Sequence, residues 1–458
     1  MPTFAKSAQT RFAAMLTKHG RTTVILLAII MALGFGLRMD KVINPLSDPG
    51  DDAFAYRALA ESLYEEGTYG GSDFNTPSDW SPGAPLLYAG TYYLTGGVRD
   101  GVGRGAQALL GTAAILIAYL LTLRLSARRS TALLAAGMVA LYPPFIYSTG
   151  ALMSEPPALF TLPAAVLALL WADSNGSRWA WLLPGLLFGI TALIRPEYLF
   201  VAFAFVVFVL VRRWMKNGAG AAIVAASLFL LAVLVPVVPW TVHNYVQLDR
   251  IVPISTGSGK ALYVGTYLPA DGEYQRVKAD LYERYTGVKL LAGSDALDEI
   301  DPVPLFDRVA ATYPGLSRDA ALGRAGKENL NRFASEDPFG YAGMTLRKVW
   351  RMWSSGVGEL MSSPAGRVTQ LILVLAGMAG LGLLVWRRRW EAIAIGLPVL
   401  TISAIGAATL APPRRNEILM TLVLPLAALT FAEVATLFSG NSAAQRRSSA
   451  PVQTTEPR

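Results

Sequence analysis

The sequence predicts an all-α polytopic membrane protein: a bundle of about ten transmembrane helices, eleven at most, with interfacial helices in a first exterior loop and a mainly helical second one. Three observations carry that prediction. Of 458 residues, 53% are hydrophobic and 16% charged, and the mean hydropathy is +0.40, too apolar for a water-soluble domain in a chain too long for a single span. Apolar runs of roughly spanning length recur at 22–38, 105–123, 131–149, 155–172, 179–194, 197–211, 219–242, 366–386, 391–411 and 416–438. Basic residues cluster in the turns that one side of the membrane would hold.

In chain order, residues 1–21 carry Lys6, Arg11, Lys18 and Arg21 without an acid, which marks a cytoplasmic segment. No Ala-x-Ala pattern follows the first apolar run, and Arg38, Asp40 and Lys41 come directly after it, so it reads as a span and not as a cleaved leader. An N-terminal membrane module, 22–242, then contains a first exterior loop at 39–104. Residues 40–80 hold nine acids and two bases. The aromatic, glycine-rich stretch 83–98 is read as interfacial, because counting it as a span would put several basic turns outside. Those turns hold Arg124, Arg128 and Arg129; Arg212, Arg213 and Lys216; Arg387 to Arg389; and Arg446 and Arg447. A large exterior loop or domain, 243–364, leads to C-terminal spans at 365–438 and a Ser, Ala, Gln and Arg-rich tail, 439–458, expected to be disordered. The net charge of +8 is mostly this topology signal, so nucleic acid is not an expected partner.

Zero cysteines and two histidines exclude disulfides, thiolate chemistry and imidazole-rich zinc sites. Chemistry must therefore run on carboxylates, arginines, lysines or hydroxyls. Asp48, Asp51 and Asp52 follow the first span at the depth of a lipid head group. From Asp52 the pattern is helical, with Ala55, Leu59 and Leu63 on one face and Arg57, Glu61 and Glu65 on another, so this helix is expected to lie along the membrane surface. One aspartate is accounted for as a first-turn acid, and Asp52 shares a face with Tyr56 four residues on. Other exterior ends carry Glu155 before Pro156, Arg195 and Glu197 around Pro196, then Trp240, His243 and Asn244, and finally Arg414 and Arg415 after Pro412-Pro413. Singly these are ordinary interfacial residues. Together, arginines among carboxylates suit a phosphate held while a neighbouring carboxylate takes a proton.

Asp52-x-x-x-Tyr56, Ser81-Pro82-Gly83-Ala84-Pro85, Ser154-Glu155-Pro156, Arg195-Pro196-Glu197, Pro239-Trp240-x-x-His243-Asn244-Tyr245 and Pro413-Arg414-Arg415-Asn416, in that order over roughly 20–440, resemble the GT-C glycosyltransferases. The chain looks like the branch of bacterial aminoarabinose transferases and protein O-mannosyltransferase-like (glycosyltransferase family 39-like) enzymes. That resemblance implies an enzyme of the bacterial cell (inner) membrane, with its site on the periplasmic or extracellular face. It would move a sugar from a polyprenyl-phosphate donor to a hydroxyl of an envelope glycan, lipid or protein, with inversion. By position it makes Asp52 the general base and Asp51 its helper. Tyr56, Glu155, Arg195, Glu197, His243, Asn244, Lys260, Arg414 and Arg415 become the donor-phosphate and substrate residues; the departing phosphate is stabilised by arginines or, if the enzyme is metal-dependent, by a divalent cation such as Mg or Mn on Asp51, Asp52 and Glu155. Two positions depart from the family: Trp80-Ser81 stands where a base usually precedes the paired prolines, and Asn416 where a tyrosine is usual. Lys260, in the glycine-rich turn Ser258-Gly259-Lys260, is one replacement for that base, and the turn's backbone N–H groups could serve an anion.

In the second loop, 272–290, 317–335 and 338–355 have helical spacing, the last ending in Lys348-Val349-Trp350-Arg351-Met352-Trp353, a basic aromatic helix suited to a lipid surface. The alternatives in other classes are a lipid transporter or flippase, which would place charges or broken helices near mid-membrane, and a non-catalytic scaffold.

Overall fold

A computed structural model describes residues 18–47, 50–70 and 77–448, the side chains of 18, 19, 51, 77 and 439–448 excepted. Asp48, the basic residues Lys6 and Arg11, and the tail after 448 lie outside the described residues. Among the described residues there are helices and turns but no strand.

Every apolar run is a helix. Among the described residues eight are long and apolar enough to cross a membrane: Gly20–Ile43, Asp100–Ser126, Glu155–Ser174, Tyr198–Asn217, Ala219–Leu248, Pro364–Trp386, Glu391–Ala408 and Arg414–Phe438. Two of the ten expected runs are not single helices of that length, and counting the bent pair as one span gives nine among the described residues. That at 131–149 is a pair, Arg129–Leu141 and Pro143–Gly150, bent by 52°, and that at 179–194 is a short apolar unit, Arg178–Ile194. The final helix runs on to Ser448.

The bend has a local chemical cause. Pro143 and Pro144 have no N–H, so the helix cannot bond the carbonyls of Val139 and Ala140 four residues back. Arg38, fully buried, supplies the missing donors: its guanidinium reaches Val139 O and Ala140 O, each at 3.3 Å, and Gly34 O at 2.9 Å. A buried arginine is thereby spent on orphaned backbone, not on a path through the membrane.

The basic turns converge at one end of the bundle. Arg128 and Arg387 both pair with Glu433, at 3.5 and 3.3 Å; Arg212 and Lys216 pair with buried Asp173, and Arg212 lies over Trp390. Leu121, Leu162, Phe188, Phe205, Phe229 and Leu422 belong to one buried apolar core that ties the spans together.

At the opposite end, Gly50–Glu65 and Gly83–Thr95 form a pair. Tyr56, Ala60, Tyr88 and Tyr92 pack between them, so the first helix buries this side on protein. Gly83–Thr95 has 13 residues, about 20 Å of helix against the ~30 Å of hydrocarbon a span must cross. The second loop is helical with its own core of Tyr263, Tyr267, Val277, Leu281, Phe306 and Leu322. It docks on the bundle through Leu410 N, which donates to Ala261 O, and through buried Lys348, whose ammonium satisfies Gly265 O, Ala407 O and Thr409 O at 2.6–3.0 Å.

Candidate functional site

A cavity of about 1860 Å³ lies between the bundle and the second loop. Asp52, Tyr56, Arg195, Glu197, Lys260, Arg414 and Arg415 line it. Residues up to 363 positions apart in sequence thus share one wall.

Each is held by its neighbours. Asp52 stands in the first turn of Gly50–Glu65, and its Oδ2 accepts from Arg414, which opens the final span. The turn Arg195-Pro196-Glu197 is fixed from the side by Ser81, whose Oγ donates to Ile194 O at 2.6 Å. Gly83 lets this approach happen, since a Cβ there would come within 2.7 Å of Ile194 N. Arg195 donates to Glu155, a buried carboxylate that begins its helix. Tyr56 donates to Ser154 at 3.1 Å, and Ser154 to Glu155 at 3.3 Å. Arg415 donates to Thr409 at 3.2 Å and stands 4.0 Å from Glu197.

Two carboxylates, Asp52 and Glu197, and three guanidiniums line this wall, with Glu155 buried behind it, and an unpaired charge in its buried part would be costly. Burial works against the charge on Arg195, but Glu155 and Glu197 outweigh it and raise its pKa. Burial likewise opposes ionisation of Glu197, and Arg415 and Arg195 overcome it, holding the carboxyl below its ordinary value. The Tyr56 phenol is pushed up by burial and stays a donor. Lys260 is a further cation lining the cavity. It has no carboxylate within ion-pair distance among the described residues, only the Tyr274 ring at 6.0 Å. Burial lowers its pKa, partly offset by Asp79.

Sequence reasoning missed the far wall. Asp79 accepts from Thr256 and pairs with Arg318 at 3.4 Å, and Arg318 also meets Asp307 at 2.7 Å. Trp80 packs edge-on against Tyr56 at 5.4 Å. No local pattern joins Asp79 to a residue 239 positions away, so no sequence signal pointed to that pair.

Other expectations are corrected. Asn244 and His243 do not line the cavity. The Asn244 amide donates to Val252 O and Ile254 O at 3.0 and 2.9 Å, and Trp240 donates to Ile254 O at 2.8 Å, so this motif fastens the segment that forms the cavity edge. His243 stacks on Trp240 at 4.5 Å. The glycine-rich turn does not offer its N–H groups to a ligand either: Gly257 N and Gly259 N donate to Asp319 at 2.9 and 2.7 Å. Lys348, expected at a lipid surface, is buried.

The metal set Asp51, Asp52 and Glu155 is not assembled among the described side chains. Asp52 is engaged by Arg414 and Glu155 by Arg195, the Asp51 side chain lies outside those described, and no three described His, Cys, Asp or Glu residues converge as ligands. Among the described residues Asp52 and Glu155 are each paired with an arginine.

The chain shares its fold with a solved oligosaccharyltransferase, and the resemblance read from its motifs agrees with a family match over part of the chain. More narrowly, residues 79–240 match the family described as dolichyl-phosphate-mannose-protein mannosyltransferase, a stretch that includes Ser81, Glu155, Arg195 and Glu197. Among solved structures, the oligosaccharyltransferase AglB of the archaeon Archaeoglobus fulgidus, in complex with an inhibitory peptide and a dolichol-phosphate, is similar over 94% of this chain and 52% of its own, at 16% identity and a TM-score of 0.56. This chain therefore spans about half the length of that enzyme. ArnT from Cupriavidus metallidurans bound to undecaprenyl phosphate is similar over 92% of this chain and 79% of its own, at 16% identity and a TM-score of 0.41. The Saccharomyces cerevisiae protein O-mannosyltransferase Pmt1-Pmt2 complex bound to the sugar donor covers 52% of this chain and 35% of its own, at 19% identity and 0.41. No curated protein matches the chain as a sequence relative.

Proposed function

We propose that the protein is a glycosyltransferase of the cell (inner) membrane. It moves a sugar from a polyprenyl-phosphate carrier to an acceptor hydroxyl of an envelope glycan, lipid or protein on the exterior face, with inversion. The observation that carries this reading is the Asp52–Arg414 pair on a cavity wall shared with Arg195 and Arg415 at the ends of three helices. Arg414 takes Asp52 Oδ2 and leaves Oδ1 for the acceptor. Asp52 takes the acceptor proton as its oxygen attacks the anomeric carbon. The bond from that carbon to the carrier oxygen breaks, and the carrier phosphate leaves with the electron pair. Arg415, the least tightly paired of the three arginines at 4.0 Å from Glu197, and Lys260 meet the charge that develops there. Glu155, behind the wall, orients Arg195. Asp51 assists from the neighbouring position in the first turn.

The fold likeness to an oligosaccharyltransferase bound to a dolichol-phosphate supports a lipid-linked donor. The test is a comparison of envelope glycans, glycolipids and glycoproteins by mass spectrometry between cells with and without the protein. A modification that disappears and returns with the intact gene is the expected result. An unchanged profile, together with lipid movement across reconstituted vesicles, would replace this reading by the transporter.

A further inference from the structure

Helix Pro338–Ser354 in the second loop is amphipathic, and its two faces do different work. The inner face is fastened to the ends of membrane spans. Lys348 is bonded to Ala407 O and Thr409 O. Trp353 donates to Ser403 Oγ inside the Glu391–Ala408 span at 3.1 Å. Asn416, in the first turn of the final span, donates to Met352 O and, at 2.8 Å, to Ser355 O. The last two turns of this helix therefore lie level with the ends of two spans, where hydrocarbon gives way to head groups.

The outer face is apolar and uncovered. Leu346 and Trp350, four residues apart and so on one stripe, are 72% and 61% exposed, and Phe339 continues that stripe at 90%. Arg347 and Arg351 border it. They are held by Asp271, with Arg351 also on Glu273, and with Trp350 and Arg276 they frame an open recess of about 550 Å³. Three arginines against two carboxylates leave this border positive. An apolar stripe with an aromatic residue and an arginine flank, set at the boundary of the hydrocarbon, matches the chemistry of a phospholipid surface.

We propose that Leu346 and Trp350 insert into the leaflet on the cavity side, with Arg347 and Arg351 at the depth of the lipid phosphates. The second loop is then tethered to the bilayer as well as to the bundle, and the cavity between them keeps a fixed floor. This depends on the protein crossing a membrane and not on the reaction it performs, so failure of one leaves the other standing.

The chain has no cysteine, so single labels are unambiguous. Leu346→Cys, Trp350→Cys and, as an aqueous control, Ser335→Cys carry a nitroxide in full-length protein reconstituted into phosphatidylcholine–phosphatidylglycerol vesicles. Collision with oxygen, which concentrates in lipid, is compared with collision with a water-soluble nickel chelate. Oxygen should dominate at 346 and 350 and the chelate at 335. Chelate-dominated spectra at 346 and 350 overturn the proposal, as do labels shielded from both reagents, which would mean that protein covers the stripe. Brominated lipid provides a check without labels: quenching of tryptophan fluorescence should fall in Trp350→Phe, and unchanged quenching contradicts insertion.

Discussion

Arg38→Met tests whether the bundle depends on a side chain that replaces two backbone donors. The arginine bonds Val139 O and Ala140 O, the two carbonyls that Pro143 and Pro144 cannot serve. Methionine fills much of the same volume but donates nothing, so two buried carbonyls lose their partners. At roughly 1–3 kcal/mol for each unsatisfied buried group, the loss is about 2–6 kcal/mol. The apparent melting temperature of purified protein at a fixed scan rate should fall accordingly. The informative measurement is the coupling. In a Pro143→Ala, Pro144→Ala background the helix regains its own N–H donors, and Arg38→Met should cost less by about 1–3 kcal/mol. An equal cost in both backgrounds would refute the assignment. It would mean that Arg38 stabilises by packing, or by its contact with Gly34 O alone.

Gly83→Ala should cost about 1–3 kcal/mol by overpacking and should reduce turnover more than its effect on folding explains, because the displaced backbone is that of Ile194 beside Arg195; thermal stability and transfer rate measured on the same preparation separate the two. For Lys260, burial depresses the pKa, so the proton is lost earlier as pH rises; the donor KM should climb on the alkaline side, and Lys260→Arg, which stays charged, should remove that climb. Chelation should leave transfer unchanged, since the described carboxylates are taken by arginines; loss restored by Mg or Mn would instead place a cation at Asp51 and Asp52.

Much of this architecture could be read from local pattern. Apolar runs and basic turns are repeated short-range signals, and each run became a helix. The exterior ends that grouped Asp52, Arg195, Glu197, Arg414 and Arg415 were found by their place relative to those runs, and they line one cavity. What failed was anything set by packing between distant segments. The glycine-rich turn looks open to an anion until Asp319, sixty residues on, occupies its N–H groups. Asn244 resembles a substrate residue by motif, yet carbonyls eight and ten residues later take its amide. Arg38 did carry a readable signal. Paired prolines in one apolar run leave two carbonyls short of donors, and a lone arginine at the end of another run can supply them.

The central claim is that Asp52 takes the acceptor proton, and its most direct test is Asp52→Asn in a strain lacking the native protein. The amide keeps the size of the side chain and removes the base. Transfer of the sugar identified by the envelope comparison should be lost, while the variant inserts into the membrane and still binds polyprenyl phosphate. Transfer at the native rate would contradict the account.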